Sequence, residues 1–178
     1  MFEDCVKKVR TCLKCAKYAR RPSPHQVDEL HPMVFEDVWF RICVDHVGPL
    51  PPSKKGNQYI LTVLDAASKW AEAFAVQDTS AQTTAVILVK EIFCRYGFPC
   101  EILSDRGTAF LNEVMNRLNQ RLHVKKISTS GYHPAMNGAV ERFHSTMNAM
   151  LKKALATARV SEWDEELPYV MFAYRALT

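Results

Sequence analysis

The sequence predicts an α/β fold, one mixed β-sheet with helices on both faces, and three observations carry that expectation. Strand-like runs come first, at residues 38–44, 59–65 and 70–76. Helical and strand-like segments then alternate to the end of the chain, the pattern of a sheet covered on both sides. Finally, 178 residues with 48% hydrophobic and 24% charged side chains suffice for one core and a short appendage, not for two domains.

Taken in order, residues 1–22, which contain MFEDCVKKVRTCLKCAKYARR, are basic and partly helical. Residues 23–34 hold prolines and no steady period, and read as a linker. The core is expected from 35 to 178. Its first strand is Val38 to Val44, within VWFRICVDHVGPLPP. The turn PPSKKGNQ leads to the strand YILTVLD, and WAEAFAV follows, so three antiparallel neighbours are expected. TSAQTTAVILVKEIFCRYGFP predicts a helix capped by Thr79 or Ser80, with Val86, Val89, Ile92, Phe93 and Tyr96 on its apolar side and Gly97 with Pro99 as its stop. CEILSD predicts a strand, 111–122 a helix and 124–127 a strand. After the irregular STSGYHPAMNG, helices are expected over about 139–157 and 163–176. Trp39, Phe40, Phe74, Phe93, Phe110, Phe143 and Phe172 are expected in the core.

Several function classes drop out. No apolar run approaches the roughly 18 residues of a membrane span. Met1 is followed by Glu3, Asp4 and Lys7, unlike a secretory leader, so an intracellular, reducing setting is expected. There Cys5, Cys12, Cys15, Cys43, Cys94 and Cys100 are free or metal-bound rather than a disulfide framework. No glycine-rich phosphate loop suggests ATP. The net charge of +4 is compatible with nucleic acid but decides little.

Three carboxylates stand out. Asp45 closes an apolar strand and Asp105 closes another; Glu141 lies at the expected start of a helix. On that helix Val140, Phe143, Met147, Met150, Leu151 and Ala154 share one face, and Glu141, Ser145, Asn148 and Lys152 lie roughly opposite. A first-turn glutamate favoured by the helix dipole is the ordinary explanation of Glu141. The alternative is convergence with the two aspartates at one edge of the sheet, where α/β folds place ligands. Three gathered carboxylates repel one another unless a cation lies between them. Mg²⁺ takes one or two carboxylates and keeps positions for water and phosphate oxygens, and two such ions can drive a phosphodiester displacement.

VDHVGPLP, ILSDRGTAF and YHPAMNGAVERFHSTM, with 35 residues between Asp105 and Glu141, resemble the D,D-35-E signature of the retroviral and retrotransposon integrase catalytic core. WAEAF, RYGFP and WDEELPYVMFAYR resemble the gypsy type of long-terminal-repeat element. The resemblance runs from about residue 35 to the end. It implies an RNase H-like fold with a five-stranded mixed sheet flanked by helices. It also implies a polynucleotidyl transferase using two Mg²⁺ or Mn²⁺ ions held by Asp45, Asp105 and Glu141. Such enzymes trim 3′ ends of element DNA with water and then join the freed 3′-hydroxyl to target DNA. Element ends and target DNA, and further copies of the chain, are the implied partners, and the nucleus the implied place of action. RTCLKCAKY resembles the Cys-x-x-Cys half of the family's zinc module, giving Cys12 and Cys15; Zn²⁺ is expected only in a longer chain, because the histidine half would lie upstream. The core is likewise expected to be truncated at its C-terminal end.

Asp65 also ends a strand and rivals Asp45, but reads better as a turn or cap residue, with SKW after it near the site. Asn137 and Gly138 are expected in a mobile loop before the Glu141 helix. Tyr132, His133, Asn137, Arg142 and Lys152 are candidate DNA contacts, against a solvated surface role for each. Ala135 and Ala139 replace glutamines common in the family. His144 is assigned no catalytic role. The alternatives to an integrase core are a domesticated, non-catalytic DNA- or protein-binding module and an RNase H-like nuclease.

Overall fold

The computed structural model describes residues 37–105, 110, 112–128, 134–156 and 158–177. Strands β1 (Arg41–Val47), β2 (Tyr59–Asp65) and β3 (Ala71–Val76) come first. Helix α1 spans residues 81–96 as Ala81–Ile87, a π-helical Leu88–Phe93 and Cys94–Tyr96. Then follow β4 (Glu101–Ser104), α2 (Glu113–Arg121), β5 (Lys125–Ser128) and α3 (Pro134–Ala154). A 3₁₀ turn, Val160–Glu162, leads into α4 (Trp163–Arg175). The five strands form one sheet in the order β3-β2-β1-β4-β5. The β1–β2 and β2–β3 pairs are antiparallel, and β1–β4 and β4–β5 parallel. The expected mixed sheet is therefore present, with its first three strands antiparallel.

Alternation along the strands divides the core into two layers. Cys43, Ile60, Leu64 and Leu103 face α3 and α4, where Phe143, Met147, Leu151, Trp163 and Leu167 cover them. Ile42, Val44, Leu61, Val63 and Ile102 face the other way, onto Leu88, Ile92 and Phe93 of α1 and Met115 of α2. The loop from β1 to β2 is fastened to the start of α4. Asp164 accepts from Ser53 Oγ and Asn57 Nδ2, each at 2.8 Å, and Trp163 Nε1 donates to the Pro51 carbonyl.

Sequence expectations fail at identifiable places. Ser80 caps α1 through a bond from the Thr83 N–H, as expected, but Val86 is 45% exposed. The buried positions are Ala81, Thr84, Leu88 and Ile92, and Val86 lies about 140° around the helix from Ala81. Phe172 is 71% exposed and Phe40 38%, so neither is core; α4 buries Leu167, Val170, Met171 and Tyr174 instead. Helix α3 begins at Pro134 rather than near 139, because proline suits a first helical position and one glycine does not stop a helix backed by a good apolar face. The segments 1–22 and 23–34 lie outside the described residues.

Candidate active site

Parallel pairing of β1 with β4 decides where the aspartates meet. Val44 is opposite Ser104, and one further step in the same register sets Asp45 beside Asp105 on strands about 4.8 Å apart. Both follow the parity of Cys43 and Leu103, so both face α3. Glu141 is exposed on that helix, three residues before His144 and therefore on a neighbouring part of its surface. Asp45, Asp105, Glu141 and His144, with Cys43 and Val140 among the apolar walls, line one cavity of about 210 Å³. The three carboxylates singled out in the sequence thus share a single site.

Asp65, the rival, is elsewhere. It pairs with Ile42 whereas Asp45 pairs with Thr62, which puts it about 10 Å further along the sheet and on the opposite face. Its Oδ1 accepts from the Trp39 N–H at 3.1 Å and its Oδ2 from the Ser68 N–H at 2.8 Å. Asp65 is a turn residue, and Ser68, Lys69 and Trp70 sit beside it rather than at the cavity.

Electrostatics mark Asp45. Burial pushes its carboxyl up from 3.8 to about 6; the His46 N–H, donating to Oδ1 at 2.8 Å, opposes that rise and the charge of Asp105 adds to it. A cation at the cavity would relieve this strain. Among the described residues no three His, Cys, Asp or Glu side chains converge into a ready-made cage. The carboxylate oxygens of Asp45, Asp105 and Glu141 lining the cavity are the donor type of an ion that takes one or two protein carboxylates and keeps several waters, as Mg²⁺ does. None of the described residues lining the cavity is a lysine or arginine.

His144 is the residue that sequence reasoning set aside and the structure brings in. Its Nδ1 lies 3.9 Å from Asp45 Oδ2, and its Nε2 lies 2.9 Å from Thr62 Oγ1. Thr62 Oγ1 in turn donates to the Asp45 carbonyl at 3.0 Å. Burial holds His144 below the ordinary histidine range. The i, i+3 spacing from Glu141 puts His144 near that residue, but nothing in the sequence points to its partner Thr62, 82 positions away. His46 belongs to the other face, where it stacks on Phe110 with ring centroids 5.1 Å apart and approaches Thr84 Oγ1 at 3.3 Å. Burial lowers its pKa, against the opposing charges of Asp105 and Asp78.

Of the candidate DNA contacts, Arg142 and Lys152 are exposed on α3. Lys152 is about 16 Å along the helix axis from Glu141 and nearly in line with it. Asn137 and Gly138 lie inside α3, so the loop expected there is helix, and a Cβ on Gly138 would come 3.3 Å from Arg142 Nη1. Tyr132, His133, Cys12 and Cys15 lie outside the described residues.

The chain is similar to known proteins. The integrase core domain family model matches residues 40–134. A retrovirus-related Pol polyprotein from transposon 412 of Drosophila melanogaster is 30% identical over 78% of this chain and 11% of its own length. The Gag-Pol polyprotein of Walleye dermal sarcoma virus is 33% identical over 93% of the chain and 9% of its own. The chain thus spans about a tenth of these relatives. Among solved structures, the HTLV-2 integrase catalytic core domain in complex with magnesium, in a trimeric form, superposes with a TM-score of 0.64 at 18% identity, covering 78% of this chain and 86% of that one. The shared fold is RNase H-like.

Proposed function

The chain belongs to the integrase core domain family of retroviral and retrotransposon Pol polyproteins, and from that premise we propose that it is the catalytic core of a DNA integrase. The reaction is a divalent-metal-dependent trimming of 3′ ends followed by strand transfer. Asp45, Asp105 and Glu141 would hold two Mg²⁺ or Mn²⁺ ions. When bound, such ions lower the pKa of an attacking hydroxyl and stabilise the leaving oxygen. In the first step water attacks a phosphodiester near the element end and a 3′-hydroxyl leaves. In the second, that hydroxyl attacks a target phosphodiester and displaces the target's own 3′ oxygen, so one ester bond forms as one breaks.

The observation that carries this reading is the meeting of Asp45, Asp105 and Glu141 at one cavity, with Asp45 inside β1, Asp105 just past the end of β4 and Glu141 on α3. The protein's contribution is placement. Two adjacent strands fix the aspartates, and a 21-residue helix packed through Phe143, Met147 and Leu151 fixes Glu141. Arg142 and Lys152 extend the site along α3 as phosphate contacts, and Tyr132, His133 and Asn137 are further candidate contacts to the DNA. Further copies of the chain are partners in the same reading; Tyr169 and Phe172, each 71% exposed on α4, are apolar surface available to one. Work on chromosomal DNA places the reaction in the nucleus.

The test is a disintegration assay, in which the chain receives a branched DNA resembling the strand-transfer product, with Mn²⁺ or Mg²⁺. Metal-dependent resealing, lost in Asp45→Asn, Asp105→Asn and Glu141→Gln, is expected. Cutting without resealing would identify a nuclease instead. Undiminished resealing in all three variants would overturn the assignment of the carboxylates.

A further inference from the structure

Proton accounting around Thr62 says which nitrogen of His144 is free to bind. The Thr62 hydroxyl has one proton and donates it to the Asp45 carbonyl, which can only accept. The contact of 2.9 Å between the same oxygen and His144 Nε2 is then a bond in which Nε2 is the donor. With its proton on Nε2, the neutral ring carries a lone pair on Nδ1. That lone pair sits 3.9 Å from Asp45 Oδ2, at the cavity that Asp45, Asp105 and Glu141 also line.

A lone pair and a carboxylate oxygen facing each other across that distance repel, unless something electropositive joins them. Two atoms each about 2.1 Å from one ion lie about 3.0 Å apart at adjacent octahedral positions and about 4.2 Å apart at opposite ones, so an ion joins this pair once the ring or the carboxylate shifts by about 1 Å. The far side of the ring has the support a metal-binding imidazole typically has, its other N–H given to an oxygen that is itself held. Here the holder is Thr62, 2% exposed on β2, and the chain of bonds ends on the backbone of Asp45 itself. We propose that His144 is a further metal ligand at this site, binding through Nδ1 beside Asp45. The inference rests on the metal-binding reading above and adds a nitrogen to an otherwise oxygen donor set. Imidazole suits transition metals better than it suits Mg²⁺, so this site should favour Mn²⁺ over Mg²⁺ more strongly than carboxylates alone would.

The test is pulsed electron paramagnetic resonance of Mn²⁺ bound to the full chain without DNA, beside direct titration of Mn²⁺ and Mg²⁺. Wild type should show nitrogen hyperfine modulation from a directly bound imidazole. In His144→Asn the modulation should vanish and Mn²⁺ affinity fall about tenfold or more, with a smaller loss for Mg²⁺. Bound Mn²⁺ without nitrogen modulation in wild type would overturn the proposal while leaving the carboxylate site intact, and so would modulation that persists in the variant. No Mn²⁺ binding by wild type would overturn both this inference and the metal-binding reading beneath it. The wild-type spectrum decides the matter even if the variant folds poorly.

Discussion

Replacing Asp45 by asparagine should make the metal-free protein more stable at neutral pH. In the folded chain the Asp45 carboxyl is pushed up from 3.8 to about 6 by burial, with the Asp105 charge adding to it. A carboxyl with a raised folded pKa contributes stability that is fully present below about pH 3.8 and is lost as the pH rises through about 6. Such a shift corresponds to about 3 kcal/mol. Because the Asp45 side chain keeps 35% of its accessible surface, solvent screening reduces the figure to about 1–2 kcal/mol. Asparagine keeps an oxygen for the His46 N–H, so the bond to Oδ1 survives while the charge does not.

The assay is urea unfolding of wild type and Asp45→Asn in chelator at pH 7.5 and at pH 3.5. At pH 7.5 the variant should be more stable by about 1–2 kcal/mol, and at pH 3.5 the two should coincide. Adding divalent metal at a roughly 100-fold excess over its dissociation constant should raise wild type by about 2.7 kcal/mol and reverse the order. Equal or lower stability of the variant in chelator at pH 7.5 would refute the argument. So would an advantage that persists unchanged at pH 3.5, since no charge is left there to remove.

Other consequences are local. Gly48 has φ of +144°, and a Cβ there would meet Tyr59 Cδ1 at 2.7 Å and the Gln58 carbonyl at 2.8 Å; Gly48→Ala should cost about 2–3 kcal/mol, read by thermal or urea unfolding. Met147 is fully buried between α3 and the sheet, and Met147→Ala should cost about 2–5 kcal/mol in the same measurement. Glu72 accepts from Tyr96 Oη at 2.6 Å and from Arg175 Nη1 at 2.9 Å. Glu72→Ala removes both charge-assisted bonds and should cost about 2–4 kcal/mol, with amide exchange rising at the C-terminal end of α4.

How much of this was legible beforehand follows from what sets each feature. The second and fourth strands were readable because short apolar runs bounded by turn residues mark YILTVLD and EILS, and both occupy the expected places. The first strand, by contrast, runs Arg41–Val47 rather than 38–44 and so contains Asp45 instead of ending before it. The order β3-β2-β1-β4-β5 was not readable, since neighbouring strands are chosen by packing and not by any local pattern. Face assignments failed where one aromatic had to be placed without its partners: Phe172 is adjacent to the buried Met171, yet one residue of rotation turns it to solvent. His144 escaped for a related reason. Its value lies in Thr62, 82 positions away in sequence, and no spacing within α3 points to a hydroxyl on β2.

Glu141 shows how a boundary error can change an argument about function. With the helix starting near 139, a glutamate at 141 lies in the first turn, where the N-terminal dipole alone favours it. The helix starts at Pro134, which makes Glu141 its eighth residue and places it in the third turn. The dipole's influence falls off within the first turn, so the ordinary explanation loses its physical basis. Nor is the placement explained by packing, since Glu141 is exposed while Phe143 and Met147 take the buried positions on the opposite side of the helix. The remaining relationship of Glu141 is with the cavity it lines together with Asp45 and Asp105. Holding Glu141 in mid-helix also makes its backbone more rigid than a frayed helix end would be, which suits a group that must meet two strand-borne aspartates at a fixed place.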